Sequence, residues 1–167
     1  MTNIIKEKLE SGPLFDCFIN EFHFTPYMRD YDILFDMPAF APGKNRSYIH
    51  SRWRYRFTHC VMAQVTTNVA DANWRVSWTD EFTNFEAWTQ AGKPEGFVWG
   101  SCWSEAYPGL TYVDDSNAAQ EWSERLNQPM HEVTIETNVQ TFRLIFHDVI
   151  IQQVATGNPD TDEMAPI

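Results

Sequence analysis

The sequence predicts an α+β fold: a twisted antiparallel β-sheet, or half of a barrel, with two or three helices packed on it. One observation is the strict alternation from Arg52 to Thr58, with Trp53, Tyr55 and Phe57 on one face and Arg52, Arg54, Arg56 and Thr58 on the other, which is the period of a strand. A second is the order of elements, several strand-like runs with two helical patterns inserted late. The third is bulk. A chain of 167 residues that is 43% hydrophobic and 15% aromatic fits one domain with one core and is too apolar to stay disordered.

Residues 2–10 form a short amphipathic pattern, with Ile5 and Leu9 one turn apart and Gly12-Pro13 as its stop, and the helix is expected to pack on the sheet edge. Residues 14–24 and 29–37, bounded by Thr25-Pro26 and Pro38, read as two strands of a hairpin. A surface loop is expected from Ala39 to Ser47. The strand that starts at Arg52 is expected to continue through His59 and Cys60 to Val65, with Trp74–Trp78 as its antiparallel neighbour. Thr79 or Asp80 can cap a helix to about Gln90. Residues 96–103 read as a strand interrupted at Gly100, and Tyr107-Pro108-Gly109 as a turn. A second helix is capped by Ser116, carries Ala118 or Ala119, Trp122 and Leu126 on one line, and cannot pass Pro129. Runs 130–137 and 141–154 close the sheet around a turn at Asn138. The domain is expected to span residues 1–156, followed by a flexible acidic tail over 157–167.

The formal charge of −11, from 23 acidic and 12 basic side chains, repels phosphate backbones and anionic membranes, so neither nucleic acid nor membrane is an expected partner. A basic protein partner suits that surface. The N-terminus lacks the basic segment and apolar core of a signal peptide, and no run approaches the ~20 apolar residues of a membrane-spanning helix. A cytoplasmic protein is the expectation. Cys17, Cys60 and Cys102, odd in number and widely spaced among apolar neighbours, read as reduced, buried thiols.

The strongest chemical pattern is a row of Asp30, Asp32 and Asp36 beside the row of Arg52, Arg54 and Arg56. Paired strands would join these rows into a cross-strand ion ladder that fixes register. The alternative is a basic stripe that grips an anionic ligand. His23, His50, His59, His131 and His147 lack metal-binding spacing, and His59 and Cys60 point to opposite faces of a strand, so no metal site is expected. One variant joins His59 and His147 from different strands with a carboxylate such as Asp16 or Glu132. There is no phosphate loop and no GxGxxG, and no cofactor is expected. Trp99, Trp103, Tyr107 and Tyr112 concentrate aromatic surface that can line a pocket or fill the core.

Four runs together, Met28-Arg29-Asp30-Tyr31-Asp32, Phe57-Thr58-His59-Cys60-Val61, Gly96-Phe97-Val98-Trp99-Gly100 and Phe146-His147-Asp148-Val149, resemble the YxiG-like proteins of bacteria over most of residues 14–154. The resemblance implies genes near toxin operons and an immunity or accessory role, and it supplies no catalytic residue. The expected function is a non-enzymatic binding protein of an immunity-like kind. Its alternative is a small-molecule binding domain or enzyme with a Trp- and His-lined pocket. The residues expected to bind are Arg52, Arg54, Arg56, His59, Trp99, Trp103, His147 and Asp148.

Overall fold

The computed structural model describes residues 4–12, 17–40, 48–67, 85–92 and 105–154. Among these residues there are two four-stranded antiparallel sheets and three helices, an α+β arrangement. The first sheet has the order β1 (Phe18–Phe24), β2 (Tyr31–Phe40), β3 (Tyr48–Thr58) and β8 (Asp148–Val154). The second has the order β4 (Met62–Thr67), β7 (Gln140–Phe146), β6 (His131–Thr137) and β5 (Ala106–Tyr112). The expected run 96–103, the first part of the helix over 79–90 and the tail lie outside the described residues.

The sheets share one core. Tyr31, Ile33, Phe35, Tyr55 and Phe57 face Val133, Ile135, Phe142, Leu144 and Phe146, and edge-on aromatic contacts such as Phe57–Phe146 at 4.8 Å between centroids cross between the sheets. The alternation in β3 is therefore the signal of a half-buried strand, with Tyr55 and Phe57 fully buried and the arginines on the outer face.

Two long runs that read as single strands are each divided between the sheets. Residue 59 leaves β3 in a left-handed conformation, φ 47°, and the chain re-enters as β4. The matching break in the C-terminal run falls at His147, between β7 and β8. Thr58 pairs with Asp148 before the bend and Met62 with Ile145 after it. The bonds His147 N–H to Thr58 O (3.0 Å) and Val61 N–H to Ile145 O (2.9 Å) carry the pairing through. This corner lets one pair of strands serve both sheets. Positive φ at a non-glycine residue is costly, and the Asp30 carboxylate holds the turn by accepting the His59 N–H at 3.0 Å.

Trp74–Trp78, expected beside the strand that starts at Arg52, lies outside the described residues, among which the neighbours of β3 are β2 and β8. Two further expectations are corrected. β2 passes the expected stop at Pro38 and pairs with β3 as far as Phe40. Among the described residues the last β1–β2 pair on that side is Phe18–Asp36, so no described strand asks Pro38 for a ladder donor on that flank. Tyr107-Pro108-Gly109 is an irregularity inside β5, between Ala106 and Gly109, with φ 94° at Gly109.

Helix α1 (Ile4–Glu10) runs from β8, at the edge of one sheet, to β5, at the edge of the other, and buries Leu9 in the shared core. Helix α2 (Phe85–Gln90) is the described part of the helix expected to Gln90. Helix α3 (Asn117–Leu126) lies on the outer face of the second sheet, where Ala119 and Trp122 cover Ile145 and Met130. Its apolar line stops at Trp122, since Leu126 is exposed.

A histidine-lined candidate site at the strand corner

The two charged rows do pair. Arg52 donates from Nε and Nη2 to Asp36 at 2.7 and 3.1 Å, and Arg56 does the same to Asp32 at 2.8 and 2.7 Å. Arg54, opposite Leu34, reaches Asp32 at 3.8 Å. Asp32 is thus a buried carboxylate between two guanidinium groups, and its arginines are engaged in a ladder. Asp30 belongs to another cluster: Arg29 donates to both of its oxygens at 2.9 Å, which holds the carboxyl below its usual range. Trp99 and Trp103 lie outside the described residues.

His59, His147 and Asp148 come together at the corner. The imidazoles of His59 and His147 meet edge to face with centroids 5.8 Å apart. His147 Nδ1 lies 2.7 Å from the Pro129 carbonyl, which can only accept, so Nδ1 carries the proton and Nε2 of the neutral ring is left as an acceptor. Asp148 accepts from Lys8 at 3.0 Å and from the Val149 N–H at 2.7 Å. Burial opposes ionisation of Asp148, but these hydrogen bonds outweigh it and hold the carboxyl below its usual range.

His131 completes the group, although a histidine that opens a strand after Met130 has no motif around it to mark it as a site residue. Its Nδ1 lies 2.9 Å from the Tyr112 hydroxyl. Burial, helped by His147, lowers its pKa below the ordinary imidazole value, while Asp148 works the other way. Ile4, Ile5 and Lys8 of α1, Pro129, His131, His147 and Asp148 line an open cleft of about 540 Å³. That is the size of a small-molecule site, with apolar walls and a few converging polar groups. A second hollow of about 350 Å³, at the start of α3, borders Tyr112, Ser116 and Glu132 and shares His131. Burial opposes ionisation of Glu132 too, and the Arg143 and Ser116 hydrogen bonds hold it ionised.

No group of three histidine, cysteine, aspartate or glutamate side chains is arranged to hold a metal ion among the described residues. Glu132 is engaged by Arg143 and Ser116 and does not join His59 and His147. Cys60 is a buried free thiol whose Sγ contacts the Met62 carbonyl at 3.2 Å, and burial pushes its pKa up to about 12. Cys17 is likewise buried and in no disulfide. No helix among the described residues is long and apolar enough to cross a membrane.

Three of the runs quoted above meet at this corner. The Arg29 carbonyl accepts the Cys60 N–H at 2.8 Å, Asp30 holds His59, and Thr58 accepts the His147 N–H. The fourth, 96–100, lies outside the described residues. A family model described as YxiG-like protein matches residues 2–161. No curated protein and no solved structure matches the chain.

Proposed function

The chain belongs to the YxiG-like protein family, and from that premise we propose that it is a binding protein whose ligand site is the cleft between α1 and the strand corner. The observation that carries this reading is the convergence of His131, His147, Asp148 and Lys8 on one open cleft with apolar walls. Three segments distant in sequence are joined by backbone hydrogen bonds beside it, which gives the site a rigid frame. A cytoplasmic setting fits the buried cysteines Cys17 and Cys60, neither of which is in a disulfide.

The test is to titrate isotopically labelled protein with small fragments that include neutral, anionic and cationic members. Saturable shifts confined to His131, His147 and the Ile4 and Ile5 methyl groups are the expected result. Shifts for no member of the set, or shifts gathered elsewhere on the surface, would remove the cleft as the site.

A second reading, an immunity-like protein that holds a basic protein partner, is favoured by the hairpin between β1 and β2. There Tyr27 and Met28 are 77% and 67% exposed on a chain of charge −11. Under this reading a partner co-purified from the native host is lost when Tyr27 and Met28 are both changed to serine. Retention of the partner by that variant would sink it.

A further inference from the structure

Within the reading that the cleft binds a ligand, on which this inference rests, we propose that the ligand is a small monoanion with an apolar body, an aliphatic or aryl carboxylate. The lining places one carboxylate, Asp148, among an ammonium group and two imidazoles, Lys8, His131 and His147. Asp148 is already engaged by Lys8 and by the Val149 N–H. Lys6 and Lys8, both on α1, are the two lysines among the described residues. Lys6 lies at the edge of the same region, paired with Asp114 and 5.8 Å from the Tyr112 ring centroid. Ile4, Ile5 and Pro129 give an apolar body its wall. A doubly charged phosphate fits less well, because Asp148 and the net charge of −11 repel the second negative charge.

The tautomer of His147 makes this binding proton-linked. Its Nδ1–H is committed to the Pro129 carbonyl, so Nε2 donates to an anion only once the ring is protonated. The ligand carboxylate then accepts from Nε2–H and the imidazolium keeps both protons. The charged and titratable groups that reach that ring are His59 at the corner, His131 of β6 and Asp148 of β8, the last paired with Lys8 of α1. Protonation on binding makes affinity increase as pH falls.

The experiment uses the full chain with 4-phenylbutyrate and its uncharged amide, measured by calorimetry and by the imidazole resonances at pH 6 and pH 8. The carboxylate is expected to shift His131 and His147 saturably, to bind at least tenfold more tightly at pH 6 than at pH 8, and to exceed the amide by a similar factor. His147→Gln should abolish the pH dependence, with an unchanged melting temperature as the control for folding. Equal binding of acid and amide, or acid binding that does not vary with pH, would overturn the anion assignment and leave the cleft standing as a site. If neither compound shifts these rings while neutral fragments do, the anion assignment fails alone. If nothing at all binds there, the proposed function fails with it.

Discussion

Asp32 and Asp36 lie on the same face of β2, receive bidentate arginines, and differ in burial. The Asp32 side chain is 4% exposed and the Asp36 side chain 27%. A surface pair contributes at most about 1 kcal/mol, whereas removing one partner of a buried pair strands the other and costs about 3–5 kcal/mol. Because the Arg56 side chain left behind is itself 37% exposed, Asp32→Ala is expected to lower the urea unfolding free energy by about 2–3 kcal/mol, and Asp36→Ala by about 1 kcal/mol or less. Equal losses would show that burial does not govern these pairs. Tyr55 presents the opposite case. Its hydroxyl is buried with no hydrogen-bond partner among the described residues, and burial raises its pKa above the ordinary value. Tyr55→Phe removes a desolvated polar group and no hydrogen bond, so stability should stay the same or rise by up to about 1 kcal/mol. A loss of 2 kcal/mol in the same assay would reveal a partner for that oxygen.

At the scale of elements, that hydroxyl also limits how α1 ends. A Cβ added at Gly12 would overlap Tyr55 Oη and sit 3.1 Å from Cζ. Gly12→Ala should cost about 1–3 kcal/mol by overpacking, and part of that loss should return in the double variant with Tyr55→Phe. Coupling below about 0.5 kcal/mol in the double-mutant cycle would refute the contact as the cause. Helix α3 depends on its cap: Ser116 Oγ accepts the Ala119 N–H at 3.0 Å while its own hydroxyl hydrogen goes to Glu132. Ser116→Ala should cost about 1–2 kcal/mol, read by chemical denaturation, because it removes the cap and one donor to a buried carboxylate. A change under 0.3 kcal/mol would mean that the cap is dispensable.

These elements show what sequence could and could not reveal. The alternation around Arg52 to Thr58 and the facing aspartates made β2, β3 and their pairing legible, because period and charge are local properties of the chain. Ser116 and Pro129 bounded α3 for the same reason. The corner was not legible. No glycine or proline marks His59 or His147, and the left-handed turn at His59 is held by Asp30, 29 positions away. A bend sustained by a distant carboxylate leaves no trace in local periodicity, so each pair of short strands read as one long strand. The candidate site shares that fate. The sequence points to His59, His147 and Asp148, which do meet, yet His131 joins them only because β6 and β7 pair.

For the whole molecule, the perturbed ionisations set a window of stability. His131 is held below its ordinary pKa by burial, so between the folded and unfolded values, starting below about pH 6.5, the unfolded chain binds the proton first and stability falls as pH drops. Asp30, Glu132 and Asp148 are also depressed. Their contribution is complete above about pH 4.3 and is lost as pH falls through their folded values. On the alkaline side, Cys60 and Tyr31 are each pushed up to about 12 by burial, so the unfolded chain releases their protons first and stability falls above about pH 8.5. The raised Lys6 weakens only at higher pH still. A plateau from about pH 7 to 8.5 with two separate acid steps is the expected profile, measured as unfolding free energy in urea at half-unit intervals. His131→Gln should erase the first acid step and leave the second, because glutamine cannot take up the proton and the carboxylates are untouched. If wild-type stability instead rises from pH 7 to pH 6, the protonated ring is the better-accommodated one. His131 would then face the cleft as an imidazolium, and the burial assigned to it would be wrong.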